Sequence, residues 1–144
     1  MPTVWTIGYE QTTLDAFTAA LQTAQVEVLA DVRALPLSRR PGFSKTALAG
    51  AMRDAGIEYR HFKALGTPAE GRVAARAGRH DDLKRIYAGQ LELPEALAAA
   101  AELADLASDR RVALLCYERD ASVCHRSLLH EAMLSNFTAI DLIP

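Results

Sequence analysis

Two cysteines in 144 residues are too few to staple a small secreted scaffold, so both are expected as thiols in a reducing compartment. No apolar run approaches the roughly 18 residues that read as a membrane span, and the first residues show no basic stretch leading into an apolar one. A cytoplasmic protein with no membrane partner is therefore the expectation. Charge of one sign is not in excess. The net value of −2 argues against a chain that coats nucleic acid through non-specific charge. Internal repeats, low-complexity tracts and linkers are also missing, so residues 1–144 read as a single domain, long enough to bury roughly 70% of the surface its unfolded chain exposes. Two local absences carry more information. Val32 to Arg53 contains no carboxylate but holds Arg33, Arg39, Arg40, Lys45 and Arg53, whereas Glu92 to Asp109 contains no cation. One electropositive side and one acidic side follow.

What is present is an alternation of apolar runs and helical stripes. Thr3 to Ile7, Val26 to Ala30, Ile57 to Phe62 and Val112 to Leu115 read as strands, and Thr138 to Ile143 is a short apolar end. The run Val112 to Leu115 enters Cys116 without polar alternation, as suits a central strand covered on both faces. Thr12 or Thr13 offers a cap for a helix bearing Leu14, Phe17 and Leu21, Ser44 for one bearing Leu48 and Met52, and Pro94 opens an alanine-rich helix to Ala107. Ala34 to Phe43, with two prolines and a glycine, reads as a long loop. Ala64 to Gly89 is interrupted by glycines and is the expected mobile segment, with Arg72, Arg76 and Arg79 on one face if it is helical. Strands alternating with helices predict an α/β three-layer sandwich with a mainly parallel, Rossmann-like sheet.

The chemistry collects between Cys116 and Arg126. Ser122 predicts a helix starting near Val123, with Cys124, His125 and Arg126 in its first turn. Ligands of parallel sheets sit beyond the strands' carboxyl ends, where helix N-termini point. A strand-end cysteine in that field would have its thiolate stabilised. Cys124 reads either as core packing or as a partner of Cys116 in a redox pair. Cys116, Cys124, His125 and His61 could supply zinc ligands, but no Cys-x-x-Cys or His-x-x-x-His pair strengthens that reading, and neither a metal nor another cofactor is assigned. Arg126 at a helix N-terminus calls for a bound anion or a carboxylate such as Glu118 or Glu131. Asp31 could position a water, act as a base or anchor Arg33. Ser38, Arg39 and Arg40, in the proline-rich loop, could clamp phosphate.

The order of strand, cysteine, loop, Arg-Ser and helix resembles the active-site loop of rhodanese-like sulfurtransferases and cysteine phosphatases, although Arg126 stands later after Cys116 than their arginine does. A broader resemblance rests on four strings: Thr6-Ile7-Gly8-Tyr9; Asp31-Val32-Arg33-Ala34-Leu35-Pro36-Leu37-Ser38-Arg39-Arg40 with Phe43; His61-Phe62-Lys63-Ala64-Leu65-Gly66; and Leu115-Cys116-Tyr117-Glu118 followed by Cys124-His125-Arg126. In that order they resemble the domain-of-unknown-function family DUF488. The resemblance implies a compact α/β protein with a Rossmann-like sheet. It also implies that Asp31, Arg33, Ser38, Arg39, Arg40, His61, Cys116, Glu118, Cys124, His125 and Arg126 belong to a shared signature. It implies no activity.

The function expected from these residues is an anion pocket at the strands' carboxyl edge for a phosphate-bearing small molecule, nucleotide or nucleic-acid end. Asp31, Arg33, Ser38, Arg39, Arg40, His61 and Arg126 would bind, and Cys116, Cys124, Glu118 and His125 are the candidate catalytic groups. The alternatives are a non-catalytic module binding nucleic acid or protein through the basic 32–53 face, rhodanese- or phosphatase-like cysteine chemistry, and a purely structural Cys–His–Glu network. Oligomeric state stays open.

Overall fold

The computed structural model describes residues 2–144, the side chain of Val123 excepted. Among them, β1 (Thr3–Gly8), β2 (Val28–Asp31), β3 (Glu58–His61), β4 (Val112–Cys116) and β5 (Thr138–Leu142) form one sheet in the order β3-β2-β4-β1-β5. Every pairing is parallel. The helices are α1 (Leu14–Thr23), α2 (Lys45–Asp54), α3 (Ala69–Arg76), α4 (His80–Leu91), α5 (Pro94–Asp109) and α6 (His125–Met133).

All five residues of β4 are buried, and their side chains feed two cores in turn. Val112 and Leu114 join Val4, Val28 and Ala30 against Tyr87 and Leu91 of α4, Leu103 of α5 and Leu129 of α6. Ala113 and Leu115 join Trp5, Ile7 and Leu29 against Phe17 and Leu21 of α1 and Leu48 and Met52 of α2. This is why the run lacks polar alternation: helices cover both faces, which makes a three-layer α/β sandwich. Thr13 caps α1, its hydroxyl accepting from the Ala16 N–H at 3.1 Å. Ser44 stands at the N-cap of α2 without capping it. Its hydroxyl instead donates to the Ser38 carbonyl at 3.2 Å and accepts from the Ser38 N–H at 3.0 Å. The proline-rich loop is thereby tied to the start of α2.

Two further expectations are corrected. Ala64 to Gly89 is largely helical: a 3-10 turn at Lys63–Leu65 leads into α3 and α4. Its glycines serve packing and reversal. Gly71 lies inside α3 where a side chain would collide with Thr67, and Gly78, at φ +73°, turns the chain between the two helices. Second, α6 begins at His125, later than Ser122 suggests. Ala121–Val123 forms a separate 3-10 turn in which Ser122 bonds to Asp120. Cys124 is the extended N-cap at φ −119°, so it precedes the first turn that holds His125 and Arg126.

The topology marks one crevice. β1 and β4 are neighbours, with Gly8 level with Cys116. The chain leaves β1 by way of α1 to reach β2 and leaves β4 by way of α6 to reach β5, in opposite directions and over opposite faces. Such a switch point opens a gap beyond the strand ends.

Candidate functional site

Asp31 ends β2 with no solvent exposure. Its carboxylate accepts from Nε and Nη2 of Arg33 at 2.9 and 2.8 Å, from the Arg33 backbone N–H at 3.1 Å, and from the Tyr59 hydroxyl. Nη1 of Arg33 donates to the Phe43 carbonyl at 2.7 Å and the Tyr9 hydroxyl at 3.2 Å. Burial works against the Arg33 charge, but the bonds and charge of Asp31 outweigh it and raise its pKa. Burial, followed by the bond to Asp31, holds the Tyr59 hydroxyl well above its ordinary range. Asp31 thus anchors Arg33, and Arg33 anchors the far end of the loop at Phe43. His61, at the end of β3, places Nε2 2.7 Å from the Arg33 carbonyl and fixes the near end. Gly66 lies flat against the loop, where a Cβ would overlap the backbone of Ala34.

The loop after Cys116 folds back over the end of β1. The N–H groups of Tyr9 and Glu10 donate to the Tyr117 carbonyl at 3.1 and 2.9 Å, and the Arg119 N–H donates to the Glu10 carboxylate at 3.0 Å. Arg126, fully buried, supports it from below. Nη1 donates to the Glu118 carbonyl at 2.6 Å and to Cys116 Sγ at 3.2 Å, and Nη2 to the Arg119 carbonyl at 3.3 Å. Among the described residues no carboxylate comes within ion-pair distance of Arg126, and its Nε has no partner. Burial depresses its pKa.

Cys116 and Cys124 converge here and are joined as a disulfide, with Cα atoms 7.3 Å apart, which corrects the expectation of two separate thiols: the strand end and the helix N-cap bring the two sulfurs together. Glu118 Oε2 stands 3.4 Å from Cys116 Sγ, and burial pushes that carboxyl up from its usual range. His125 lies edge-on to Tyr87 at 5.3 Å with Nε2 2.7 Å from the Val32 carbonyl. A carbonyl accepts only, so Nε2 carries the proton and the Nδ1 lone pair faces Cys124 Sγ at 3.7 Å. Burial lowers the His125 pKa to about 4, which keeps the ring neutral at physiological pH.

Above these groups is a cavity of about 510 Å³. Arg33, Arg39, Arg40, Arg72 and Arg76 line it, with Glu118 as the carboxylate and with Cys116 and His125 at its floor. Its remaining walls are mainly Tyr9, Leu35, Leu37, Leu83 and Tyr117, of which Leu35, Leu37 and Tyr117 are also exposed. Of the expected site residues, the structure brings Arg33, Ser38, Arg39, Arg40, Cys116, Glu118 and His125 to this cavity, and Cys124 touches Cys116. Asp31, His61 and Arg126 lie behind it and hold its walls. Arg72 and Arg76 were readable as a helical pair, but the glycines around them masked the helix. The wall residues Tyr9 and Tyr117 gave no signal of their own.

A family model described as "Domain of unknown function DUF488" matches residues 13–133. No curated protein and no solved structure matches the chain.

Proposed function

The chain belongs to the DUF488 family, whose description assigns no activity, and we propose from the site itself that the cavity takes a phosphate-bearing ligand with an apolar or aromatic body, of the nucleotide or nucleic-acid-end class. One observation carries the reading. Five arginines face a cavity with one carboxylate, and of these five only Arg33 forms an ion pair among the described residues. Guanidinium groups left without carboxylates around a concave, partly apolar space suit a bidentate contact to phosphate. The exposed ring of Tyr117 and the side chains of Leu35 and Leu37 suit a flat body beside it. Arg40 reaches the Thr12 carbonyl through Nη2 and keeps a buried Nε unpartnered. Arg72 is braced by the Thr67 carbonyl at 2.9 Å. Arg39 and Arg76, both exposed, are the free arms.

The test compares a short oligonucleotide carrying a 5′-phosphate with the same strand lacking it, by titration calorimetry at fixed salt. The phosphorylated strand is expected to bind more tightly. Arg39→Gln with Arg76→Gln is expected to weaken it roughly 10- to 100-fold, the value of a lost charge-assisted hydrogen bond, while stability moves by less than about 0.5 kcal/mol. Equal binding of both strands, with strong salt dependence, would replace this reading by the non-catalytic module on the basic 32–53 face.

A second reading draws on the Nη1 contact of Arg126 to Cys116 Sγ at 3.2 Å. Once the Cys116–Cys124 disulfide is reduced, a buried cation at that distance favours a thiolate, as a nucleophilic cysteine requires. The alkylation experiment described below decides whether that thiolate is free.

A further inference from the structure

The cavity floor has a chemistry that phosphate binding does not need. Cys116 Sγ, Cys124 Sγ and a ring nitrogen of His125 all lie within 4.8 Å of one another, and all three residues are buried. We infer that these three side chains bind a divalent metal of the zinc class, with a fourth coordination position open to the cavity. The inference goes beyond the phosphate reading and stands or falls separately from it.

Three features lead there. First, the His125 ring is set for ligation: Nε2–H donates to the Val32 carbonyl and leaves Nδ1 facing Cys124 Sγ at 3.7 Å. Metal-bound imidazoles are commonly oriented by a carbonyl or carboxylate on the other nitrogen in this way. Second, the Cα atoms of the cysteines stand 7.3 Å apart, wider than the roughly 4.4–6.8 Å that a disulfide spans. Two thiolates each about 2.3 Å from a tetrahedral ion sit about 3.8 Å apart, and the wider backbone spacing leaves room for that. Third, the charges balance. Two thiolates neutralise a divalent ion, and Arg126, buried and among the described residues without a carboxylate at ion-pair distance, donates to one of them. The pair must first be reduced, a dithiol reductant supplying two electrons and two protons and leaving as its own disulfide, and metal binding then releases the two thiol protons to solvent. Two cysteines and one histidine with an open position is a donor set found in catalytic zinc sites. Cys116 and His125 line the cavity, so the open position faces it, and Glu118 beside Cys116 is placed to accept a proton from a bound water.

The experiment uses the full chain, purified under reducing conditions without chelator. Elemental analysis is expected to find zinc at one ion per chain. Cobalt(II) added to stripped, reduced protein is expected to give a thiolate-to-cobalt charge-transfer band with tetrahedral d–d bands. Both cysteines are expected to resist iodoacetamide until a chelator is added. Cys124→Ser and His125→Gln should each weaken metal binding at least about 100-fold, the upper range for loss of a mere supporting contact, whereas His80→Gln, at an exposed histidine, should not change it. The wild-type cobalt spectrum keeps the test valid if a variant fails to fold. Metal retained by Arg39→Gln with Arg76→Gln separates this site from the phosphate reading. A reduced protein with no thiolate–cobalt band, or cysteines alkylated equally with and without chelator, overturns the inference. The second of those results, with a depressed thiol pKa, would support the free nucleophile instead.

Discussion

Replacing Asp31 by alanine is expected to cost about 3–5 kcal/mol, the range for removing one partner of a buried ion pair. The reason is what stays behind. Arg33 is 5% exposed, and three of its donors, counting the backbone N–H, close on Asp31 together with the Tyr59 hydroxyl. With the carboxylate gone, a buried guanidinium keeps only the Phe43 carbonyl and the Tyr9 hydroxyl. Domains of this size hold about 5–15 kcal/mol in total, so the variant should approach its unfolding threshold. Urea denaturation measures it. The double change Asp31→Ala with Arg33→Met should cost clearly less than the two single changes added together, because it removes the orphaned charge along with its partner. A single-variant loss below about 1 kcal/mol would mean that the pair behaves like a surface ion pair, and the account of how the 34–43 loop is held would fail with it.

The same pair shows where reading from sequence ends. The three inner strands β1, β2 and β4 were legible because they are buried and spelled largely in apolar residues, β4 most plainly, whereas the edge strands β3 and β5 are more exposed and mix in polar and charged residues. The strand-end position of Asp31 and Cys116 followed from that. What could not be read were contacts made to backbone. Arg126 sits at a helix start, and its spacing suggests an anion or a glutamate, yet its bonds go to the carbonyls of Glu118 and Arg119 and to a sulfur. Carbonyls are carried by every residue, so no pattern of side chains announces them. Ser122, a good cap, predicts Cys124 in the first turn of α6. Asp120 captured Ser122 in a local turn, and the helix started later. In Ala64 to Gly89, counting glycines as breakers hid α3, whose glycine is there for contact with Thr67.

Gly8→Ala is the change expected to damage the site most for the smallest addition of atoms. Gly8 ends β1 level with Cys116, and a Cβ there would overlap the carbonyl carbon and oxygen of Glu118. Backbone cannot rotate aside as a side chain can. Either β1 loses its register with β4 or the Tyr117–Arg119 loop lifts, and both break the bonds from the Tyr9 and Glu10 N–H groups to the Tyr117 carbonyl. Overpacking of this kind costs about 1–3 kcal/mol, and more where the neighbour cannot yield. If the loop lifts, Arg126 loses its carbonyl acceptors and Glu118 leaves Cys116, so binding of the phosphorylated oligonucleotide and of cobalt should each weaken at least about tenfold, a figure set by the loss of supporting contacts around a metal. Gly89→Ala is the matched control. That residue lies within α4 with nothing inside 4 Å of an added Cβ, so alanine there should raise stability by up to about 1 kcal/mol through helix propensity and leave both ligands bound as before. Opposite signs in urea denaturation, with binding lost only in the Gly8 variant, are the expected pattern. A Gly8→Ala protein as stable as wild type and binding normally would show that the loop is not pressed against the end of β1, and the cavity floor described here would lose its support.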